Sequence, residues 1–243
     1  MQYQSKKIIV VMPVYNTAKS IENVFKRIPR VIYSRLFKVI MVNDGSSDNS
    51  VEVISKLRKK YKKIELISHS KNKGYGAAQK TGFNKAVKYG ADIGVLLHSD
   101  GQYSPELLPK MLKPFNHGAD IVMGSRILGG SALKGGMPLH RYLGNRFLTK
   151  IENIVYGMNI SEFHTGYMLY SKKALNTINF NKLSNKFHFD GEMILMAGKK
   201  KLKIVEIPIP TIYAQEKSYL NPITYGFDVL KILFKYIIGK YNF

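Results

Sequence analysis

The chain has 243 residues and no cysteine, which excludes disulfides and thiolate metal sites. Its 38 Lys and Arg residues against 16 Asp and Glu residues give a formal net charge of +22, which favours anionic partners such as phosphorylated substrates, lipid headgroups or nucleic acid. We expect no signal peptide or membrane span at the N-terminus, because the apolar run before Pro13 is too short for either.

Short β-branched runs alternate with amphipathic stretches through the first half of the chain. The predicted strands are 6–14, 37–44, 63–69, 92–98 and 119–125, and the predicted helices are 18–28, 47–61, 76–90 and 105–115. Because these strands are almost continuously apolar, the alternation predicts an α/β fold with a parallel sheet that is covered by helices on both faces. In such sheets the chemistry lies outside the carboxyl ends of the strands.

The second half of the chain is less regular. We predict helices at 139–157 and 190–201 and strands at 165–171 and 202–210. The glycine-rich stretch 128–138 is too long for a simple connection, so we interpret it as a mobile, functional loop.

A last amphipathic helix is predicted within residues 221–243. Asp228, Lys231 and Lys235 share one stripe of it, and most other positions are apolar. The segment is too short to span a bilayer, which leaves two alternatives. It lies in a membrane interface with its lysines towards the headgroups, or it packs on the core of the domain.

The stretch "LLHSDGQYSPE" (96–106) ends an apolar run at a lone carboxylate, Asp100, with His98 and Gln102 two residues to either side. An ordinary turn followed by a helix with Ser104 as N-cap would explain it. The alternative is a metal site at a strand end. The placement of Asp44 at the carboxyl end of another predicted strand favours a functional site.

Several fragments in order resemble the family-2-type nucleotide-sugar glycosyltransferases with the GT-A fold. Those fragments, which extend from about residue 8 to 210, include "VVMPVYN", "VNDGSSDNS", "NKGYGAAQKTGFNKA", "HTGYMLYSKKAL" and "FHFDGEM". The chain is most similar to dolichyl- or polyprenyl-phosphate sugar synthases. The resemblance implies a GT-A domain over residues 1–220 with a mostly parallel central sheet, a nucleotide-binding half to about residue 125 and an acceptor half over 126–220.

The resemblance places Asp100 in the family's Asp-x-Asp metal motif, which here reads His98-Ser99-Asp100 with its first carboxylate replaced. A Mg²⁺ or Mn²⁺ ion in that motif neutralises the diphosphate leaving group as a Lewis acid. Asp100 is then the expected anchor, Gln102 offers a carbonyl oxygen, and His98 is either a third ligand or a polar residue that ends a strand. The lost carboxylate should weaken metal binding and favour Mn²⁺.

Further roles follow from the same resemblance. The resemblance also implies that Ser99 and Asp100 bind the nucleotide. Pro13, Tyr15 and Asn16 are expected to bind the nucleoside, and Asp44 is expected to bind the base or the ribose. Lys73 and Gly74 lie at a helix start that is expected to bind the pyrophosphate. Thr17 stands where relatives often carry glutamate, which puts the base contact there in doubt.

The acceptor side begins with Arg126, which is expected to bind phosphate through its planar guanidinium. The acceptor motif corresponds to Glu162, His164, Thr165 and Gly166, while Met168 stands where relatives usually have arginine.

Asp190 matches the general-base aspartate of hydroxyl-directed relatives, although it could equally cap a helix, and Glu192 is a second choice.

We expect an inverting transfer from a UDP- or GDP-linked sugar to a polyprenyl or dolichyl phosphate, on the cytoplasmic face of an anionic membrane. A phosphate acceptor needs cationic guidance, whereas a sugar or protein hydroxyl would need Asp190 as base, and this remains the alternative. A second alternative is a catalytically lapsed module that binds polyanions or membranes. Nucleic acid is not an expected partner, because no basic motif with interleaved aromatics is present.

Overall fold

The computed structural model describes residues 6–211 and 222–243. Within these ranges the strands are β1 (Ile8–Val14), β2 (Leu36–Asn43), β3 (Ile64–Ser68), β4 (Ile93–Leu96), β5 (Ile121–Ser125), β6 (Met168–Ser171) and β7 (Ile204–Pro208). They form one sheet in the order β3-β2-β1-β4-β6-β5-β7. All neighbours are parallel except β6, which pairs antiparallel with both β4 and β5. The predicted, mostly parallel sheet is confirmed.

Helices surround this sheet. They are α1 (Ile21–Lys26), α2 (Arg30–Tyr33), α3 (Ser50–Lys60), α4 (Tyr75–Lys88), α5 (Leu108–Leu112), α6 (Ser131–Lys134), α7 (Leu139–Tyr156), α8 (Lys172–Thr177), α9 (Phe189–Lys199) and α10 (Pro222–Ile237). The described part of the chain also contains three short 3-10 helices, at Pro105–Leu107, Lys113–His117 and Phe180–Lys182. Neither α2 nor α8 is predicted by the sequence pattern.

Both faces of the sheet are buried, which explains the continuous apolar strands. Ile9 and Val11 of β1 belong to the core cluster that includes residues of α4, α9 and α10. Val10 belongs to the cluster on the opposite face, with residues of α1, α3 and α5. α4 approaches β1 closely because it carries Gly82, where a Cβ would lie 2.2 Å from Val11 Cγ1.

Two predicted segments differ in detail from the structure. The single helix predicted at 105–115 is α5 with a 3-10 helix on each side, because prolines interrupt the segment and lack the N–H that a continuous helix needs. The predicted loop 128–138 contains α6 and is packed in place. Ser131 Oγ donates a hydrogen bond to Ile209 O at 2.6 Å, and Ala132 is 1% exposed.

The C-terminal helix α10 has one buried and one exposed apolar side. Val229, Ile232 and Leu233 are buried, so the helix packs on the core. Phe234 and Ile237 are 62% and 67% exposed, and their side of the helix remains open. No helix in the described part of the chain is long and apolar enough to cross a bilayer. The predicted domain boundary between residues 220 and 221 lies outside the described residues.

Candidate active site

The loops that follow β1 and β4 are joined by short polar side chains. Ser99 Oγ donates to Pro13 O at 2.8 Å and accepts from Thr17 Oγ1 at 3.0 Å. Ser20 Oγ donates to Ser99 O at 2.8 Å. Ser99 is therefore buried between two loops at the carboxyl edge of the sheet. Its predicted nucleotide contact stays a prediction.

Asn16 joins the β1 loop to the loop after β2. It adopts a left-handed backbone with φ 52°, a conformation that asparagine tolerates better than most residues. Its Oδ1 accepts from Ser47 N at 2.8 Å, and its N–H donates to Ser46 Oγ at 3.0 Å. Tyr15, the neighbouring side chain, is 37% exposed.

Asp44, at the end of β2, is buried and holds the loop that leads into α4. Its carboxylate accepts backbone N–H groups from Lys73 and Gly74, each at 2.9 Å, and lies 2.6 Å from His69 Nδ1. Gly74 has φ 103°, and a Cβ there would lie 2.4 Å from Asn185 O, so only glycine fits. Asp44 thus shapes the predicted pyrophosphate loop, while the Lys73 side chain is exposed.

The predicted metal site supplies few ligands from the protein itself. Asp100 is half-buried and accepts a hydrogen bond from Gln102 N at 3.0 Å on Oδ1, while Gln102 is exposed. Across residues 6–211 and 222–243, no three His, Cys, Asp or Glu side chains cluster as a metal site requires. A single carboxylate beside the amide of Gln102 and the imidazole of His98 fits a hard cation that takes most of its ligands from a bound diphosphate.

His98 makes its main contact inwards, with Tyr75 at the start of α4. The Tyr75 hydroxyl lies 2.7 Å from His98 Nε2 and donates to Asp190 Oδ2 at 2.6 Å. Gln79 Nε2 donates to Asp190 Oδ1 at 2.9 Å. Both carboxylate oxygens of Asp190 are therefore engaged, and Asp190 is only 6% exposed.

Burial shifts the pKa values of Asp190 and His98 in opposite directions. It raises the pKa of Asp190 to about 7, although the hydrogen bonds from Tyr75 and Gln79 favour the charged form. Burial also lowers the pKa of His98. The Asp100 charge opposes that effect, and the Arg126 charge adds to it. Burial therefore favours the neutral form of His98.

Gly166 of the predicted acceptor motif makes room for the His98 ring. A Cβ at Gly166 would lie 2.6 Å from the His98 ring, so any other residue would displace it. Gly166 N donates to the Tyr103 hydroxyl at 2.8 Å, and the Tyr103 ring meets His98 edge to face at 4.9 Å. Its neighbour Thr165 is 2% exposed. The acceptor motif and the predicted metal motif are therefore in direct contact.

Arg126, immediately after β5, is held by Glu162. The fully buried Glu162 carboxylate accepts from Arg126 N at 2.7 Å, from Nε at 2.9 Å and also from the guanidinium NH2. Asn145 Nδ2 of α7 donates to the same carboxylate at 2.9 Å, and Arg126 donates to His164 O at 2.6 Å. Glu162 is thus the counter-ion that orients Arg126.

His164 connects this arginine to two helices. Its Nδ1 lies 3.0 Å from the Tyr225 hydroxyl of α10, and its Nε2 lies 3.1 Å from Glu152 Oε2 of α7. Glu152 is buried. The predicted acceptor residues therefore couple Arg126 to the positions of both helices.

Comparison with known proteins decides the family. Residues 9–178, well over half of the chain, match the family model "Glycosyl transferase family 2". The chain belongs to this family. It is 32% identical over 249 residues to the UDP-N-acetylglucosamine–dolichyl-phosphate N-acetylglucosaminyltransferase of Methanococcus voltae, which covers 97% of this chain and 98% of that protein. It is 28% identical over 204 residues to the dolichol-phosphate mannosyltransferase of Pyrococcus furiosus, covering 83% of this chain and 55% of that protein.

Solved structures agree on the fold. Glucosyl-3-phosphoglycerate synthase of Mycobacterium tuberculosis superimposes with a TM-score of 0.72 over 98% of this chain and 83% of that chain, at 16% identity. A complex of the same synthase with Mn²⁺ and UDP gives a TM-score of 0.69 over 95% of this chain and 79% of that chain, again at 16% identity. The predictions of a GT-A fold and of a glycosyltransferase are confirmed.

Sequence reasoning missed several side chains of this candidate site, namely Tyr75, Gln79, Tyr103, Asn145 and Glu152. Most lie inside helices, where the pattern predicts core or solvent-exposed positions. One local signal was present at Tyr75, because glycines flank it at the start of α4. At one of them, Gly76, a Cβ would lie 2.5 Å from Ser184 O, so α4 starts against the segment that leads to Asp190.

Proposed function

We propose that this glycosyltransferase moves a sugar from a UDP- or GDP-linked donor to a polyprenyl or dolichyl phosphate at an anionic membrane. The observation that carries the proposal is Arg126, a cation oriented by a buried carboxylate and linked through His164 to α7 and α10. Both helices expose apolar residues. The names of the relatives from Methanococcus voltae and Pyrococcus furiosus, which specify dolichyl and dolichol phosphate, support the same acceptor class.

On the donor side, Asp100 would hold Mg²⁺ or Mn²⁺, with Gln102 and His98 as further ligands. The cation would neutralise the charge that develops on the departing nucleotide. Asp44 accepts hydrogen bonds from the backbone N–H groups of Lys73 and Gly74 and so holds the loop that begins α4. The N-terminus of a helix favours an anion such as the donor pyrophosphate. Attack opposite the departing nucleotide would invert the anomeric centre.

On the acceptor side, the state of Asp190 favours a phosphate over a hydroxyl acceptor. Its two oxygens accept hydrogen bonds from Tyr75 and Gln79, so the carboxylate is directed inwards and away from solvent. A phosphate monoester has a second pKa of about 6 and is already a competent oxyanion near neutrality. Its requirement is a positioned cation, and Arg126 meets it.

The outward surface of α7 and α10 suits a membrane interface. The two helices pack through Tyr156 and Tyr236, whose rings meet at 4.9 Å. Their exposed apolar residues are Leu139, Leu143, Phe147 and Ile154 on α7, and Phe227, Leu230, Phe234 and Ile237 on α10. Lysines near an anionic surface contribute about 1 kcal/mol each, and Lys150, Lys231 and Lys235 are exposed on these helices. We infer peripheral attachment to the cytoplasmic face of the membrane.

The lysine-rich end of α3 is not part of this surface. Ile54 and Leu57 of α3 pack on the opposite face of the sheet from α10. Membrane binding should therefore depend on the lysines of α7 and α10 far more than on those of α3.

The test is a transfer assay with matched acceptors. The purified protein is incubated with a panel of UDP- and GDP-sugars and either polyprenyl phosphate or the corresponding polyprenol. We expect a glycosylated product only with the phosphate, with inverted configuration by NMR. Transfer to a sugar or protein hydroxyl but not to the lipid phosphate would contradict the proposal.

A further inference from the structure

Tyr75 joins the donor and acceptor halves of the site through one hydroxyl. That hydroxyl lies 2.7 Å from His98 Nε2, at the end of β4, and 2.6 Å from Asp190 Oδ2, in the first turn of α9. The three side chains come from three separate elements. They form a continuous chain from the predicted metal motif to a buried carboxylate.

The proton count of this chain determines the tautomer of His98. An ionised carboxylate only accepts hydrogen bonds, so the single proton of the Tyr75 hydroxyl goes to Asp190. The contact between Tyr75 and His98 Nε2 then requires a proton on Nε2. Since a neutral imidazole carries one N–H, the lone pair of His98 is on Nδ1.

The surroundings keep the chain in this arrangement. Gln79 donates to the second oxygen of Asp190, which holds the carboxylate in place. The Tyr75 ring stacks on Phe187 at 5.5 Å, and the missing side chain of Gly166 leaves just enough room for the His98 ring. No hydrogen bond to His98 Nδ1 occurs among the described residues.

We propose that Tyr75 and Asp190 are positioning residues that hold His98 as the Nε2–H tautomer and so present the Nδ1 lone pair to the divalent cation that Asp100 binds. The inference rests on the proposed function, because it assumes that a cation occupies the donor site. Metal-binding histidines generally donate their other N–H to a carboxylate or a polar group, which fixes the ring and its tautomer. Here a tyrosine relays that contact to the carboxylate.

His69 provides an internal contrast. Its Nδ1 lies 2.6 Å from the Asp44 carboxylate, and its Nε2 lies 2.9 Å from Thr81 Oγ1. The carboxylate only accepts, so Nδ1 of His69 carries the proton. The two histidines should therefore be opposite tautomers in the same protein.

The first experiment is ¹⁵N NMR of the metal-free protein, with labelled histidine, at about pH 8.5, where Asp190 with its pKa of about 7 is ionised. Two-bond correlations in the imidazole rings distinguish the tautomers. We expect Nε2–H for His98 and Nδ1–H for His69. An Nδ1–H tautomer at His98 would overturn the proposal. Because neither donor nor metal is present, this result is independent of whether the protein transfers sugars to lipid phosphate.

The second experiment compares Tyr75→Phe with the control Tyr89→Phe, whose hydroxyl lies outside the candidate site and donates to Glu65 Oε2 at 2.7 Å. Each variant loses one tyrosine hydroxyl and its hydrogen bond, but only Tyr75→Phe loses a hydrogen bond to His98. In Tyr75→Phe we expect a mixed tautomer population and about tenfold weaker Mn²⁺ binding in the presence of UDP, measured by EPR. Tyr89→Phe should match the unchanged protein in both measurements. An unchanged tautomer or an unchanged Mn²⁺ affinity in Tyr75→Phe would refute the positioning role.

Discussion

The predicted nucleotide-binding and acceptor-binding regions of the candidate site are built in different ways. Apart from the buried carboxylate of Asp44, the loops around Asn16 and Ser99 are held by short, uncharged polar side chains that bond to backbone groups of neighbouring loops. The acceptor region depends on charges in the interior, with Glu162 fully buried against Arg126. Loss of one neutral hydrogen bond costs about 1 kcal/mol, whereas an unpaired buried charge costs several. The acceptor region should therefore be the more sensitive to single substitutions.

The largest effect is expected on turnover, from Asp100→Ala. Asp100 is the one carboxylate of the predicted metal motif, and charge stabilisation by a bound cation contributes several kcal/mol. Turnover should fall by at least about a thousandfold. Circular dichroism and the melting temperature should be unchanged, because Asp100 is half-buried and, among the described residues, bonds only to its own turn. Full activity of this variant in EDTA would remove the metal assignment.

Glu162→Ala tests the comparison of the two regions directly. It leaves Arg126 without its buried counter-ion, so the free energy of unfolding should fall by about 3–5 kcal/mol in urea titrations. The control is Thr17→Val, which removes one loop hydrogen bond to Ser99 and should cost only about 1 kcal/mol. Similar losses in the two variants would show that the regions are not built differently.

Asp190→Asn should remove a pH dependence of stability. Burial raises the pKa of Asp190 from 3.8 to about 7, so the folded state binds this proton more tightly than the unfolded state. Its contribution to stability is complete below about pH 4 and is lost as pH rises through about 7. The decline amounts to at most about 4 kcal/mol, since each tenfold change in proton affinity corresponds to about 1.4 kcal/mol.

The measurement is the free energy of unfolding of both proteins from about pH 4 to 8. The difference between the parent protein and Asp190→Asn should change across this range and level off above it. A constant difference would mean that Asp190 is ionised throughout.

The smallest effect is expected at the membrane surface. Replacing Phe234 and Ile237 by serine removes exposed apolar area from α10 and leaves its buried side intact. Sedimentation with anionic vesicles should weaken by about tenfold or more, since burial of one large apolar side chain is worth about 1.5–3 kcal/mol.

The matched control is Lys59→Ser, at the exposed end of α3 and on the other side of the sheet. It should change vesicle binding little, and binding of the parent protein should fall as salt rises. A clear loss in the control together with unchanged binding in the α10 variant would mean that net charge, and not the α7 and α10 surface, governs attachment.

Local pattern determined much of this architecture. The strands of the parallel sheet carry continuous apolar runs, which predict the strands and the helical layers on both faces. Asp44 and Asp100 follow two of these runs and so mark the carboxyl edge of the sheet, where the candidate site lies. The antiparallel insertion of β6 between β4 and β5 was not predictable in this way. A four-residue apolar run has no local feature that specifies its partners or its direction.

The connections within the site were decided by the tertiary structure. Motif residues such as Arg126, Glu162 and Asp190 were found from the sequence, but their partners were not. Tyr75 and Asp190 are separated by 115 positions, yet they share a hydrogen bond. Which polar side chain a buried charge meets depends on how α4, α7 and α9 pack on the sheet, because hydrogen bonds act over about 3 Å. No periodicity along the chain encodes a hydrogen bond between two such distant side chains.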